Sequence, residues 1–234
     1  MSQDADVEIL MPVHNEGSSI ERTLREWYNE LSPKVNLRFV ISEDGSQDNT
    51  KEVLTRLSQE LPMVLDMIDE RRGYAGAVVA GMKAGSAPYL LVVDSDGQCE
   101  PKDFWPFWKR RTEFDVLIGW RVNRRDVLAR KVMSRCFKLL HWTLFRTSLH
   151  DPSCPYLLMS RRVIEKLPPE LGTLREGFWW EFVARATRRG LRFGELPVAH
   201  RERTAGGTMV YQPAKIPLIA WRNGVGLLRI WLGR

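Results

Sequence analysis

Pro88-Tyr-Leu-Leu-Val-Val-Asp-Ser-Asp-Gly-Gln98 decides how the chain is read. Its apolar run, Pro88–Val93, has the length of a buried strand and breaks directly into the carboxylates of Asp94 and Asp96 and a glycine turn. Working outward, the same plan recurs. Val7–Val13 reads as a strand ending in Pro12-Val-His-Asn-Glu-Gly17, and Leu37–Ser42 as one ending in Glu43-Asp-Gly-Ser-Gln-Asp48. Met63–Ile68 is a further strand. Helical patterns lie between them: Ser18–Leu31, entered through Ser18 and Ser19 with Glu21 as a capping-box acid, then Asp48–Leu61, Tyr74–Ala84 and Pro101–Arg111. Such alternation predicts an α/β domain built on a parallel sheet. In open sheets of this kind ligands bind beyond the carboxyl ends of the strands, where the polar clusters fall.

The second half is less regular. Asp115–Gly119, Tyr156–Ser160 and Arg192–Val198 read as strands, and Gly177–Arg189 as a helix stopped by Gly190. No repeat or linker interrupts the chain. One domain is expected over residues 1–212, with residues 213–234 as a basic amphipathic tail.

Composition bounds the function. With 234 residues, 44% hydrophobic and 27% charged, the chain has the material for a sizeable core and is neither disordered nor collagen-like. Cys99, Cys136 and Cys154 are dispersed and odd in number, which argues against a disulfide framework or a zinc site and for a reducing compartment. Met1–Asp6 is polar and acidic, so no signal peptide is expected. Arg222 and Arg229 interrupt Ile216–Leu232, the best candidate for a membrane span, so none is expected there.

The net charge of +6 is concentrated. Between Trp120 and His150 eight basic residues stand against Asp126 alone. Plotted at 100° per residue, Leu128–Leu140 divides into an apolar half (Leu128, Ala129, Val132, Met133, Cys136, Phe137, Leu139, Leu140) and a basic half (Arg130, Lys131, Ser134, Arg135, Lys138). That is the pattern of a helix lying at a bilayer surface, and equally of one packed on a core with a solvated basic face. Ile216–Leu232, with Trp221 and Trp231 among arginines, repeats the chemistry and favours peripheral contact with an anionic membrane. The aromatics are not interleaved as a stacking platform and no nucleic-acid motif occurs, so no nucleic-acid partner is expected.

Asp94 and Asp96, two residues apart at a strand end, suit a divalent cation shared with phosphate oxygens; alone, the spacing also suits a turn or a helix cap. Their company decides. Met11-Pro-Val-His-Asn-Glu16, Glu43-Asp-Gly-Ser-Gln-Asp-Asn-Thr50, Arg71-Arg-Gly-Tyr-Ala-Gly76 and Asp94-Ser-Asp-Gly-Gln98, in that order, resemble the inverting glycosyltransferases of family 2. Within them the chain is most similar to the dolichyl- or polyprenyl-phosphate mannose (or glucose) synthases. Gly119-Trp-Arg121, Asp151-Pro-Ser-Cys154 and Arg203-Thr-Ala-Gly-Gly-Thr208 extend the match to about residues 7–210.

The resemblance implies the GT-A fold, a Rossmann-like, mostly parallel central sheet with flanking helices in a single domain. It implies transfer of a sugar from a nucleotide-sugar donor, GDP-mannose or a UDP-sugar, to a polyprenyl or dolichyl phosphate, with Mg²⁺ or Mn²⁺, at the cytoplasmic face of a membrane. Pro12, His14, Glu16, Glu43 and Asp44 match the positions that hold the nucleoside, and Arg71, Arg72, Gly73 and Gly76 the basic, glycine-containing segment beside it. Asp94, Ser95, Asp96 and Gln98 match the donor and metal positions, with the metal on Asp94, Asp96 and Gln98. Arg121 and Arg203 match arginines near phosphates, and Asp151 and Ser153 fall on the acceptor side. Glu181, in Gly177-Phe-Trp-Trp-Glu181, matches an acidic acceptor-side position, as a base or as a support for its neighbours. The chain departs from the family's usual pattern at Glu43, at Ser153-Cys-Pro-Tyr156 and at Thr208. Extension of a saccharide hydroxyl is the alternative activity, and there Glu181 would have to act as base.

Overall fold

The protein is described by a computed structural model covering residues 5–122, 128–201 and 216–233, with the backbone alone for residues 128–134 and 216. Among the described residues seven strands form one sheet: β1 (Val7–Val13), β2 (Leu37–Asp44), β3 (Met63–Ile68), β4 (Tyr89–Val92), β5 (Val116–Arg121), β6 (Leu157–Ser160) and β7 (Phe193–Val198). Their order is β3-β2-β1-β4-β6-β5-β7. Neighbours run parallel except around β6, which is antiparallel to both β4 and β5. The helices are α1 (Ile20–Leu31), α2 (Thr50–Leu57), α3 (Tyr74–Ala84), α4 (Phe104–Arg110), α5 (Leu128–Phe145), α6 (Arg161–Lys166), α7 (Phe178–Arg188) and α8 (Ile216–Trp231).

The chain lays down β1, β2 and β3 in one direction and then places β4 on the other flank of β1. That reversal opens a crevice at the carboxyl ends of β1 and β4, the usual ligand position in such sheets. Register fixes what lines it. Val13 pairs with Glu43 and Leu10 with Val92, so the polar ends of β1, β2 and β4 reach one edge together. β1 is buried along its whole length, which explains why it is apolar apart from Glu8.

The opposite edge is tied by a buried ion cluster. Glu8, fully buried on β1, accepts hydrogen bonds from Arg161 Nη2 at 2.7 Å and from the backbone N–H of Ser86 at 2.8 Å, and pairs with Arg38 of β2. It thereby joins β1, β2, the approach to β4 and α6.

Several sequence expectations are corrected. Ser19 does not cap α1 through its side chain; its hydroxyl donates to Glu16 Oε2 at 2.5 Å. Glu21 instead pairs with Arg25 and Arg56, clamping α1 to α2. β2 runs on to Asp44 because Glu43 and Asp44 still pair with Met67 and Ile68, and α2 is confined to Thr50–Leu57. The helix expected over Pro101–Arg111 begins as a 3-10 turn, Pro101–Asp103. The sheet is mostly parallel, as the resemblance implies, with β6 antiparallel, and α6 has no counterpart in the sequence pattern.

α5, α7 and α8 form a separate helical layer around Phe145, Ala184, Leu227 and Ile230. α5 extends to Phe145, and its sides differ from the simple wheel. Phe137 and Leu140 pack inward, whereas Cys136, Leu139 (63% exposed) and Trp142 (46%) face out beside Arg135 and Lys138. The outward side of α5 is thus basic and apolar at once. Among the described residues no helix is long and apolar enough to cross a membrane.

Candidate active site

A cleft of about 240 Å³ opens at the β1/β4 reversal. Of the residues expected to bind the donor, Pro12, His14, Glu16, Asp44, Arg71, Asp94, Ser95 and Asp96 line it. Its loops are locked from beneath. His14 Nδ1 lies 2.9 Å from the carbonyl of Asp44, and Ser95 Oγ donates to the carbonyl of Pro12 at 2.9 Å. Asn15 takes a left-handed conformation (φ 55°), from which its side chain accepts the Gln47 N–H at 2.8 Å. Gly45 (φ 68°) has no room for a side chain, since a Cβ there would stand 2.9 Å from the carbonyl oxygen of Asp69.

Asp44 organises one wall. Its carboxylate accepts the backbone N–H groups of Arg72 at 2.6 Å and Gly73 at 2.9 Å, and it meets Arg71 Nε at 3.4 Å. The aspartate thus holds the β3–α3 loop against the end of β2 and keeps Arg71 over the cleft. Arg72, Gly73, Gly76 and Glu43 do not line the cleft. Arg72 turns back to Asp66 at 2.7 Å, and Gly76 lies under Arg72, whose Cβ would be 2.8 Å from a Cβ at that glycine. Glu43 is wholly buried. One oxygen accepts the Ser46 N–H at 2.5 Å; the other has no hydrogen-bond partner, with Lys51 Nζ 3.9 Å away. It shapes the β2–α2 loop.

Asp94 and Asp96 stand at the centre, each with a local donor. Tyr74 Oη donates to Asp94 Oδ1 at 2.8 Å, and the backbone N–H of Gln98 donates to Asp96 Oδ1 at 3.0 Å. Trp179 Nε1 donates in turn to Tyr74 Oη at 2.9 Å, so α7 reaches the carboxylate through one phenol. Burial and then the charge of Asp94 push the Tyr74 phenol well above its ordinary pKa, so it stays a donor. Tyr74 and Trp179 escaped the sequence reading. The only signal was a tyrosine after Arg-Arg-Gly at a helix start, which fits packing equally well.

A narrow cavity shares Asp94 and Asp96 with the cleft and brings in Gln98, Arg121 and Cys154. Arg121, at the end of β5, forks onto Asp151 at 2.7 and 3.1 Å and reaches Ser153 Oγ at 3.1 Å. Burial lowers its pKa, but the Asp151 carboxylate outweighs burial and raises the guanidinium pKa. Arg121, expected near phosphates, and Asp151 and Ser153, expected on the acceptor side, are therefore one cluster. Burial pushes the neighbouring Cys154 thiol up to about 12, so it is neutral and inert. The Gln98 amide nitrogen donates to the carbonyl of Arg201 at 3.0 Å, joining the Asp94–Gln98 loop to the end of the β7 segment.

Glu181 lies apart, in the helical layer. Its fully buried carboxylate accepts the Leu174 N–H at 2.7 Å, the Gly172 N–H at 3.2 Å, the Thr173 hydroxyl at 2.8 Å and Arg185 Nε at 2.8 Å. This is a loop clamp. Arg203 falls outside the described residues.

The donor set suits a hard divalent cation. Among the described residues no cluster of three His, Cys, Asp or Glu side chains is placed to hold a metal by itself. Two carboxylates with no soft ligand fit Mg²⁺ or Mn²⁺ held jointly with phosphate oxygens.

Known proteins place this geometry. The solved glucosyl-3-phosphoglycerate synthase of Mycobacterium tuberculosis, in complex with Mn²⁺, UDP and glucosyl-3-phosphoglycerate, shares the fold. Its TM-score is 0.70 at 16% identity, over 98% of this chain and 80% of that one. Among curated proteins the chain is 28% identical to glycosyltransferase AglD of Haloferax volcanii over 97% of its own length. It is 27% identical to the dodecaprenyl-phosphate galacturonate synthase of Rhizobium johnstonii over 87% of its length. It is also 27% identical to the undecaprenyl-phosphate 4-deoxy-4-formamido-L-arabinose transferase of Salmonella choleraesuis, over 86%. The chain spans only 37% of the first of these relatives and 61% of the other two. The family model described as glycosyl transferase family 2 matches residues 8–168, the part of the chain that carries the cleft and its carboxylates, and the chain belongs to that family.

Proposed function

We propose that this chain catalyses inverting transfer of a sugar from a nucleoside-diphosphate donor to a polyprenyl phosphate, at a membrane surface it touches without spanning. The observation that carries the reading is the pair Asp94 and Asp96 at the β1/β4 reversal, with Asp44 and Arg71 beside them in the cleft and Arg121 in the narrow cavity that shares both aspartates. Relatives whose names carry dodecaprenyl and undecaprenyl phosphate support the acceptor class. Mannose or glucose is the favoured sugar, although those relatives are named for galacturonate and a formamido-arabinose.

Asp44 and Arg71 would hold the nucleoside, and Asp94 with Asp96 a divalent cation on the diphosphate. Mg²⁺ or Mn²⁺ bound there would neutralise charge growing on the departing diphosphate. The acceptor phosphate attacks the anomeric carbon from the face opposite the leaving group. One C–O bond forms, the other breaks, and no proton has to move, because a phosphomonoester is already ionised near neutral pH. Arg121, oriented by Asp151, and Arg203 would offset phosphate charge. The four donors on Glu181 support this reading, since that carboxylate is committed to its loop and a phosphate acceptor needs no base.

The test is a donor screen, GDP-mannose against UDP-sugars including UDP-galacturonate, with a polyprenyl phosphate and Mg²⁺ or Mn²⁺. Product phosphodiester is expected with one donor, lost in Asp96→Asn and reduced but present in Glu181→Gln. Equal, complete loss in both variants with substrate binding intact would favour a hydroxyl acceptor. Full activity of Asp96→Asn would overturn the site.

A further inference from the structure

A cavity larger than the donor cleft lies elsewhere in the fold. It holds about 900 Å³ between the turn Arg175–Gly177, the second half of α7 and α8. Six arginines line it, Arg175, Arg185, Arg188, Arg189, Arg222 and Arg229, against Glu170 and Glu176. Arg185 is engaged by Glu181, and Arg188 by the carbonyl of Trp231. The other four guanidiniums make no hydrogen bond or ion pair among the described residues.

Many arginines elsewhere are paired. Arg25, Arg38, Arg56, Arg72, Arg121 and Arg161 each meet a carboxylate. Gathering unpaired guanidiniums into one concavity costs repulsion that an anion would remove.

The walls are firm. Glu181 clamps residues 172–174, and Gly177 packs so tightly on Asn223 of α8 that a Cβ there would lie 2.7 Å from its Oδ1. On α8, Arg222 and Arg229 sit two turns apart on one edge. Beside that edge runs an exposed apolar stripe through Leu218 (53%), Trp221 (72%), Leu228 (43%) and Leu232 (59%).

The geometry points to a second anion site in this basin, taking a phosphate or diphosphate group, either free or as the headgroup of a lipid whose chains lie along that stripe. Forked guanidiniums match phosphate oxygens better than any other donor on the chain. The site shares no residue with the donor cleft and goes beyond the transfer reaction.

The experiment compares the full chain with Arg189→Gln/Arg222→Gln/Arg229→Gln and with a control of equal charge loss, Lys102→Gln/Lys109→Gln/Lys166→Gln. Pyrophosphate affinity is read by calorimetry with chelator present, which leaves the carboxylate cleft without a cation. Flotation is read on phosphatidylcholine vesicles with and without phosphatidic acid. At about a fivefold loss per arginine, the triple basin variant should bind about hundredfold more weakly, with the control unchanged. Weakening toward both probes supports a site for the free group; weakening toward phosphatidic acid vesicles alone supports a headgroup site. Equal weakening in the control, no weakening in the basin variant, or tighter capture of an RNA oligonucleotide by the same arginines overturns the proposal. Turnover is not read, so a failure of the transferase reading leaves this outcome intact.

Discussion

Removing one oxygen, in Tyr74→Phe, separates structure from chemistry at the centre of the cleft. The phenol donates to Asp94 at 2.8 Å and accepts from Trp179 at 2.9 Å. A hydrogen bond to a charged group contributes about 1.5–3 kcal/mol, and the stranded indole N–H costs about 1–3 kcal/mol more. The two losses share one oxygen and are not fully additive, so roughly 2–4 kcal/mol of stability should disappear. The ring stays, so its edge contacts with Phe178 and Trp179 persist and the fold should survive. Loss of a residue that orients a metal-binding carboxylate typically weakens metal affinity about 10- to 100-fold. The assay is transfer rate against Mg²⁺ or Mn²⁺ concentration, with thermal unfolding alongside. The expected result is a rightward shift in the metal curve with the plateau largely kept. A variant that loses thermal stability while its metal curve overlays the wild type would refute the positioning role.

Other perturbations follow from single contacts. Glu8→Ala strands Arg161 and two backbone N–H groups in the core and should lower stability by about 3–5 kcal/mol in denaturant titration, with donor affinity unchanged. Burial lowers the pKa of His141 from 6.5 to about 4, so its contribution is complete above pH 6.5 and is lost as pH falls toward 4. That shift corresponds to about 3 kcal/mol, and His141→Gln should abolish the corresponding slope of stability against pH. Arg135→Glu with Lys138→Glu, on the outward side of α5, should reduce flotation on anionic vesicles by about 1 kcal/mol per reversed charge or more, and leave transfer to a short soluble acceptor phosphate intact.

The carboxyl-edge cluster is legible because it is local: each strand runs into its own polar end, and Asp94 and Asp96 lie two residues apart just past the end of β4. What escaped is what the sheet assembles. Arg121 and Asp151 are thirty residues apart and meet only because β6 brings the second back beside the end of β5. Glu43 and Asp44 are adjacent, yet alternation along β2 sends the first into the β2–α2 loop and the second to the cleft. Glu181 looked like an acid at a reaction centre because its sequence neighbours match that pattern, and only the 172–174 loop folding over it shows the clamp. The wheel of α5 misplaced Leu139 because two helices, α7 and α8, choose the packed face.

The antiparallel β6 has a consequence for how the chain tolerates change. Because β6 runs backwards between β4 and β5, residues arriving at it and residues leaving its neighbours share the carboxyl edge, where the cleft opens. The amino edge is left to connections such as 32–36, 58–62 and 111–115, none of which borders the cleft. Insertions there should change length without changing chemistry, and the turn at Ser86 and Ala87, tethered to Glu8, is the exception. One edge of the sheet is thus free to drift in length, while the other is fixed to within a single residue.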